Sequence, residues 1–541
     1  MRLGRIAAPL ALLATPLAAQ TSGDTAPASY PVEEKSIGDL GAAMASGEAS
    51  SAAITQAYID RIAALDDRGP QLNAVIALLP GAMAEARLRD AERAAGRVRG
   101  PMHGIPVIVK DNIETTGPVP TTAGSFALEN NVTDRDAPLV ARLRAAGAVI
   151  LGKANLSEWA NFRSNDSTSG WSAVGGLTRN PYALDRNTCG SSSGSAVAAA
   201  ASLAAGAVGT ETDGSITCPA SSNGVVGFKP TVGLVSRRFV VPISHSQDTA
   251  GPMTRSVRDA AIMLGAMAGV DPGDPATAAA QGRVSNYAGL LGRDVLNGLQ
   301  IGVPRDRLGD DEALIAQFEQ VLDMLRAQGV TIVDIADSRS GLDGLGDAEF
   351  QVLLSEFKAD IADYLQGLPD GVKNGGVEAR SLADLMAFNM ADKDRELQYF
   401  DQSLFVAAQA QEGLDDPAYI AARDKAKRLA GPMGIDRMLA EHRVTILALP
   451  TRSPVWLSTL GEGDAFTGPS ASGLPAQAGY PHLTVPMGLI GGLPVGISFI
   501  GSAWTDDFLL QVGDAYERAA DARVPPQYLA SVGAGAKQVS P

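Results

Sequence analysis

With four histidines and two cysteines in 541 residues, the sequence is poor in the side chains that hold transition metals. Neither a C-x-x-C motif nor a Cys/His ligand spacing occurs, so no metal and no organic cofactor is expected. Basic runs are missing as well. Lys and Arg total 44 against 60 Asp and Glu, a formal net charge of −16, which excludes the electrostatic footprint of a nucleic-acid partner. The phosphate-cradling pattern G-x-x-x-x-G-K-[ST] is absent. Aromatic residues make up only 5% of the chain while glycine occurs 59 times, a composition suited to close packing of helices on a sheet. Past the N-terminus no stretch reaches 18 apolar residues, so no transmembrane helix is expected.

The N-terminus has its own character. Arg2 and Arg5 precede an apolar stretch from Ile6 to Leu17, and the small residues Ala18 and Ala19 follow. That order reads as a secretory signal peptide over residues 1–19, cleaved after Ala19, and a Ser/Thr/Pro-containing linker over 20–35. The mature protein is expected to be periplasmic or extracellular, with no membrane partner once the signal is removed. Cys189 and Cys218 each flank a serine-rich loop. Two cysteines in an exported chain raise the question of a disulfide. Their setting in packed loops favours free thiols acting as small apolar fillers.

From Ser36 onward the pattern alternates. Helical periodicity marks IGDLGAAMASG and SSAAITQAYIDRIAALD, the latter capped by Ser50 or Ser51. NAVIALLP, GIPVIVKDN, AVILGKAN, LQIGVPRD, TIVDIAD and VTILALPT read as strands. GAMAEARLRDAERAAG reads as an exposed charged helix, and HLTVPMGLIGGLPVGISFIG as a hairpin turning at Gly491 and Gly492. Residues 342–441 are more polar and mostly helical, a flank over the site. Beyond Ala519 the chain turns polar and is expected to be loosely held, with 531–541 a flexible tail. The fold class is therefore α/β, one catalytic domain over 36–530 with a large mixed central sheet covered by helices on both faces.

The stretch most dense in chemistry is CGSSSGSAVAAAASLAAGAVGTETDGSITCPASSNGVVGFKPTVG, residues 189–233. Two hydroxyl-bearing glycine turns are separated by one Ala/Val helix, an arrangement that presents backbone N–H groups and serine oxygens to a ligand. These residues resemble the amidase signature hydrolases. In that family a Gly/Ser loop supplies a bridging serine, a second Gly-Ser turn supplies the nucleophile, and an upstream G-[IV]-P-x-x-x-K-D segment supplies a lysine. The matching positions are Ser191, Ser215 and Lys110, and the two serines lie 24 residues apart as in the family. The wording GTETDGSITCPASSNGVVGFKPTVGLVSR, followed by PISHSQDTAGPM, is most similar to the bacterial peptide amidases. The resemblance spans roughly residues 36–517.

It implies a serine amidohydrolase with a Ser-cisSer-Lys triad. Ser215 would attack, Ser191 would relay a proton after a cis peptide bond, and Lys110 would act as base. The backbone N–H groups of Thr212, Asp213, Gly214 and Ser215 would form the oxyanion hole. For this role Lys110 must be neutral, which burial at the end of an apolar strand promotes. Asp111 next to it points to the opposite face of the strand. The expected partner is a small-molecule or C-terminally amidated peptide substrate, whose hydrolysis releases ammonia.

Several features compete with this reading. A broad aliphatic or aryl amidase with esterase activity is a second enzymatic reading, and an exported solute-binding protein a non-enzymatic one. Gly190–Gly194 also matches G-x-S-x-G with Ser192 as nucleophile, but the segment before it is polar and turn-like rather than a buried strand. Ser355 and Lys358 match S-x-x-K inside an amphipathic helix and lack partner motifs. The sequence departs from the broad family at Glu211 (usually Asp), at Asp213-Gly214 (usually Gly-Gly) and at Thr217 (often Arg). The peptide-amidase wording shares the Glu-Thr-Asp-Gly-Ser form.

Overall fold

The structure is a computed structural model that describes residues 30–369 and 377–533. The expected signal peptide, most of the linker and the last residues of the tail lie outside the described residues. The apolar stretches become one sheet of eleven strands. In chain order these are β1 (Val75–Leu78), β2 (Pro106–Lys110), β3 (Val149–Ala154), β4 (Gly206–Glu211), β5 (Val226–Lys229), β6 (Thr249–Thr254), β7 (Gln300–Pro304), β8 (Thr331–Ile335), β9 (Ile446–Pro450), β10 (His482–Ile490) and β11 (Leu493–Ile500). Across the sheet they run β1-β3-β2-β4-β6-β5-β10-β11-β9-β7-β8. β3, β2 and β4 are mutually parallel neighbours, whereas β4, β6, β5, β10, β11 and β9 pair antiparallel in succession. The sheet is therefore mixed, and helices pack over it as the α/β reading expects. Runs such as IPVIV and AVIL, aliphatic at every position, suit strands buried on both faces.

This topology puts the chemistry at one sheet edge. β2 and β4 are parallel neighbours, so Lys110 at the end of β2 and Glu211 at the end of β4 emerge together. Helix α1 (Ser193–Ala200), all of whose residues are buried, packs between β2, β3, β4 and β6. Helix α2 (Thr217–Ser222) starts two residues after Ser215. The hairpin between β10 and β11 turns at Gly491 and Gly492 as expected.

The described residues of the segment over 342–441 are mostly helical: α3 (Leu345–Gln366) with further helices at Leu382–Ala391, Ser403–Gln409 and Pro417–Ala430. It has an apolar cluster of its own in which Phe357, Ile361, Leu385 and Phe405 meet Trp159, Phe162 and Ile243 of the main body. Phe162 and Ile243 also line the cavity above Ser215, so the flank is packed onto the site itself.

Two expectations need correction. The helix Ala82–Ala94 is not simply exposed: Arg89 and Glu92 are buried, with Glu92 accepting from Arg99 and paired with Arg89. The chain after Ala519 is not loose up to Gly533. Tyr528 N–H donates to Pro181 O, Leu184 N–H donates to Leu529 O, and Val532 is buried. Within the described end of the linker, Val32 is buried and the exposed Glu33 pairs with Arg61. For the tail, a tertiary partner far along the chain overrides a local polar composition. Among the described residues no helix is long and apolar enough to cross a membrane.

Candidate active site

Lys110 is completely buried at the end of β2. Its Nζ donates to Ser191 Oγ at 2.8 Å and to Thr210 Oγ1 at 2.9 Å, and Asn112 Nδ2 also donates to Thr210 Oγ1 at 3.0 Å. Burial pulls the Lys110 pKa down to about 7, against the opposing charges of Asp248 and Glu211. Asp111 does turn to the other face. There it pairs with the buried Lys153 at 3.2 Å and accepts from Thr122 N–H at 3.1 Å. The neighbouring carboxylate thus has its own cation and leaves Lys110 free of a direct counter-ion.

Ser191 follows a cis Gly190–Ser191 peptide bond and is buried. Its carbonyl accepts from Ser157 N–H at 3.0 Å. Gly190 has to be glycine, because a Cβ there would lie 2.1 Å from Ser157 Oγ. Each of the following serines is engaged in structure. Ser192 Oγ donates to Thr210 O and accepts from Thr210 N–H, Ser193 Oγ donates to Cys189 O, and Ser195 Oγ donates to Val208 O. Ser192 is therefore a staple between loop and strand rather than a nucleophile. Ser355 and Lys358 bond to Gln351 and to the carbonyls of Gln409 and Gln411 in the flanking helices, which removes the S-x-x-K reading.

Ser215 sits in the turn between β4 and α2. With Gly190, Thr212, Asp213 and Gly214 it lines a cavity of about 220 Å³. Gly214 adopts φ +78°, a left-handed conformation that glycine reaches at little cost. Among the described residues the N–H groups of Asp213, Gly214 and Ser215 meet no acceptor, as donors awaiting a ligand oxygen would. Glu211 fixes the far side of the turn, its Oε2 accepting from Ile216 N–H at 2.7 Å and Thr217 N–H at 2.9 Å. The longer side chain in place of the family's aspartate thus holds the start of α2.

The two serine loops are joined twice. Ser192 N–H donates to Ser215 O at 3.1 Å, and Cys189 forms a disulfide with Cys218. The bridge corrects the expectation of free thiols. The two cysteines are 29 residues apart but their Cα atoms lie 6.0 Å from each other, inside the range a disulfide spans. The fold of α1 and β4 brings them together, and no local spacing announces it.

Other participants have no motif. Asp248 accepts from Thr212 Oγ1 at 2.5 Å and from the N–H groups of Ile243 and Ser244. Burial raises its pKa to about 6. Glu349 of α3 accepts from Gln247 Nε2 and Gln477 Nε2 and hydrogen-bonds Asp213. Burial first, and the nearness of Asp213 second, push its carboxyl well above the usual range. Arg452 enters the cavity wall from the segment after β9.

Among the described residues no histidine lines the Ser215 cavity. His103 bonds Arg89 O and His482 bonds Ser498. His245 pairs with Asp360 at 2.9 Å and with Glu356 at 3.3 Å. Those three residues bring possible ligand atoms within 4.8 Å of one another, a grouping that no sequence spacing showed. Glu356, however, already accepts from Ser244, Ser246 and Tyr419, and the trio is an ion-pair knot tying α3 to the main body.

Comparison with known proteins points to one family. Residues 53–510 match the Amidase family model. A probable amidase of Arabidopsis thaliana is 38% identical over 93% of this chain and 93% of its own length. A glutamyl-tRNA(Gln) amidotransferase component from a Roseiflexus species is 35% identical over 91% of this chain and 97% of its own. Among solved structures, the native peptide amidase of Stenotrophomonas maltophilia superposes with a TM-score of 0.87 at 52% identity, covering 92% of this chain and 99% of that one. A peptide amidase bound to the competitive inhibitor chymostatin gives 0.88 at 53%, covering 92% of this chain and 100% of that one. With a buried lysine on a serine, a second serine in a donor-lined cavity and a family match over most of its length, this chain is a member of the amidase signature family and an amide C–N hydrolase.

Proposed function

We propose that the protein removes the terminal carboxamide of C-terminally amidated peptides, releasing ammonia, through Ser215, Ser191 and Lys110. The observation that carries the reading is the 2.8 Å contact between Lys110 Nζ and Ser191 Oγ in a site dry enough to bring the lysine to about 7. A neutral Lys110 takes the Ser191 proton while Ser191 takes that of Ser215, and Ser215 Oγ bonds to the carboxamide carbon. The free N–H groups of the Asp213–Ser215 turn hold the oxyanion. As the C–N bond breaks, the proton returns from Lys110 through Ser191 to the leaving nitrogen, which departs as ammonia. Water then attacks the acyl-Ser215 ester by the same relay.

The likeness to peptide amidases at 52–53% identity supports the peptide-amide substrate. Export to the periplasm or medium is part of the proposal, supported by the leader-like N-terminus and by a disulfide, a bond that persists in oxidising compartments. Ammonia release from an amidated dipeptide, its free acid and a simple fatty amide tests the substrate. The amidated dipeptide should be turned over fastest and the free acid not at all. A fatty amide hydrolysed as fast as the amidated dipeptide would replace the peptide reading with a broad amidase.

A further inference from the structure

The loop 243–248 grips the Asp213–Ser215 turn at its head, Thr212. Thr212 Oγ1 donates to Asp248 Oδ1 at 2.5 Å, and Gln247 Nε2 donates to Thr212 O at 3.3 Å. Asp248 Oδ2 accepts from Ile243 N–H at 2.8 Å and Ser244 N–H at 3.0 Å, so one carboxylate closes its own loop and fastens it to the turn. The same carboxylate looks toward the relay. A cavity of about 10 Å³ is lined by Asp248 and Thr212 together with Thr210 and Asn112, and Thr210 Oγ1 accepts from Lys110 Nζ at 2.9 Å. A gap of that size is too small for bulk water, and charges across it are little screened. The charged groups around Asp248 are Lys110 at the end of β2, Glu211 at the end of β4, Arg237, and Asp360 of α3. Arg237 is committed to Asp274 at 2.6 Å, and Asp360 to His245, which also pairs with Glu356. Asp111 is turned away onto Lys153. Among the described residues no cation pairs with Asp248 directly.

We propose that Asp248 is a positioning residue for amide hydrolysis, holding the head of the donor turn through Thr212 while its carboxylate faces Lys110. This deepens the reading of Ser215, Ser191 and Lys110 as the triad and rests on it. The two roles are chemically separable. The bond from Thr212 fixes where the N–H groups of residues 213–215 point, and so how well they hold an oxyanion. The negative charge favours the ammonium form of Lys110, and so decides the pH at which the amine becomes free. Against the desolvation that strips Lys110 of its proton, Asp248 acts more strongly than Glu211. Burial raises Asp248 itself to about 6, so it is ionised over the range in which Lys110 titrates. With that charge removed, the ammonium is less favoured and Lys110 sheds its proton at lower pH. An aspartate that only braced the 243–248 loop would change stability and leave the pH dependence of the rate where it was.

The test is kcat/KM for ammonia release from an amidated dipeptide against pH, in the wild type and in Asp248→Asn, Thr212→Val and Thr212→Ser, with circular dichroism and melting to confirm folding. Asparagine keeps the contacts while losing the charge: its Oδ1 accepts from the Ile243 and Ser244 N–H groups, and its Nδ2 donates to a Thr212 hydroxyl turned to accept. In Asp248→Asn the rise of kcat/KM should therefore move at least about 0.5 pH unit lower. Thr212→Val keeps the charge and removes the bond. Its plateau should fall about 10-fold, as expected for a lost hydrogen bond to a charged group, and Thr212→Ser should restore most of it. A rise left at the wild-type pH in folded Asp248→Asn would overturn the electrostatic role, and a wild-type plateau in Thr212→Val would overturn the hold on the turn. Asp248→Ser, smaller and also uncharged, takes the place of Asp248→Asn if the latter does not fold. Failure of the triad reading looks different: Lys110→Met would then keep both its activity and the acid limb of the profile, whatever residue stands at 248.

Discussion

Replacing Lys110 by methionine keeps much of the side chain's length and removes its only ionisable atom. At an ordinary lysine pKa of 10.5, roughly one molecule in 3,000 would carry a neutral amine at pH 7, whereas at about 7 roughly one in two does. Desolvation of the site therefore supplies about three orders of magnitude of the reactive form. The rate should collapse by at least about 100- to 10,000-fold in Lys110→Met, the usual contribution of a positioned base. In the wild type, kcat/KM should rise with pH to a plateau just above 7. Stability should rise over the same range. Above about pH 7 the folded lysine has shed its proton while the unfolded one keeps it to about 10.4, so the unfolded state binds more protons and unfolding becomes costlier as pH climbs. Below pH 7 both states are protonated and the folded state bears the full desolvation penalty. The melting temperature of Lys110→Met relative to wild type should thus be most favourable below pH 7 and fall as pH rises from about 7 to 10. Lys153 and Lys229 are also buried, but they are present in both proteins and cancel. The assays are ammonia release against pH and thermal melts across the same range. A Lys110→Met enzyme that keeps a tenth of wild-type kcat/KM, or a melting difference flat with pH, would refute the assignment of Lys110 as a desolvated base.

Ser215→Ala should abolish ammonia release and acyl-enzyme formation, read by trapping with a slow substrate and intact mass, while Ser191→Ala should retain a labelled Ser215 but acylate at least about 100-fold more slowly. Glu211→Ala leaves the Ile216 and Thr217 N–H groups unpaired and should cost about 2 kcal/mol in denaturant unfolding together with a fall in kcat. Glu211→Gln, which keeps an acceptor, should restore most of both, and a fully stable Glu211→Ala would show that the turn holds itself. The Cys189→Ser/Cys218→Ser double variant opens a loop of 29 residues and should lose about 3 kcal/mol of stability. A change below about 1 kcal/mol would mean that packing alone holds the two loops.

Much of the centre of this site can be read from the sequence because it is written in local words. GIPVIVKDN is a strand with a lysine at its end, and both serine turns carry their glycines with them, so the parallel pairing of β2 and β4 had only to bring Lys110 to Ser191. The alternation of Lys110 and Asp111 to opposite faces follows from strand geometry, and Lys153 confirms it from the next strand. What surrounds the site is not local. Glu349, Gln477 and Arg452 come from segments more than a hundred residues beyond Ser215, in stretches whose composition says helix or loop and nothing more. The same distance hid the Cys189–Cys218 bridge and the docking of Tyr528 and Leu529 on residues 181–184. A polar tail looks loose until its partner is known.

The bond from Ser192 N–H to Ser215 O makes the proton relay and the attacking oxygen parts of one rigid body, closed again by the disulfide. The substrate-facing wall has a different origin. Leu353 belongs to α3, and Arg452 and Phe466 to the segment after β9, none of them covalently near that body. The cavity is thus walled by two pieces of chain, the relay body on one side and the flank and the segment after β9 on the other. Drift in the flank can change which amide is accepted while the relay distance stays put, and in this architecture a new specificity need not pass through an inactive intermediate.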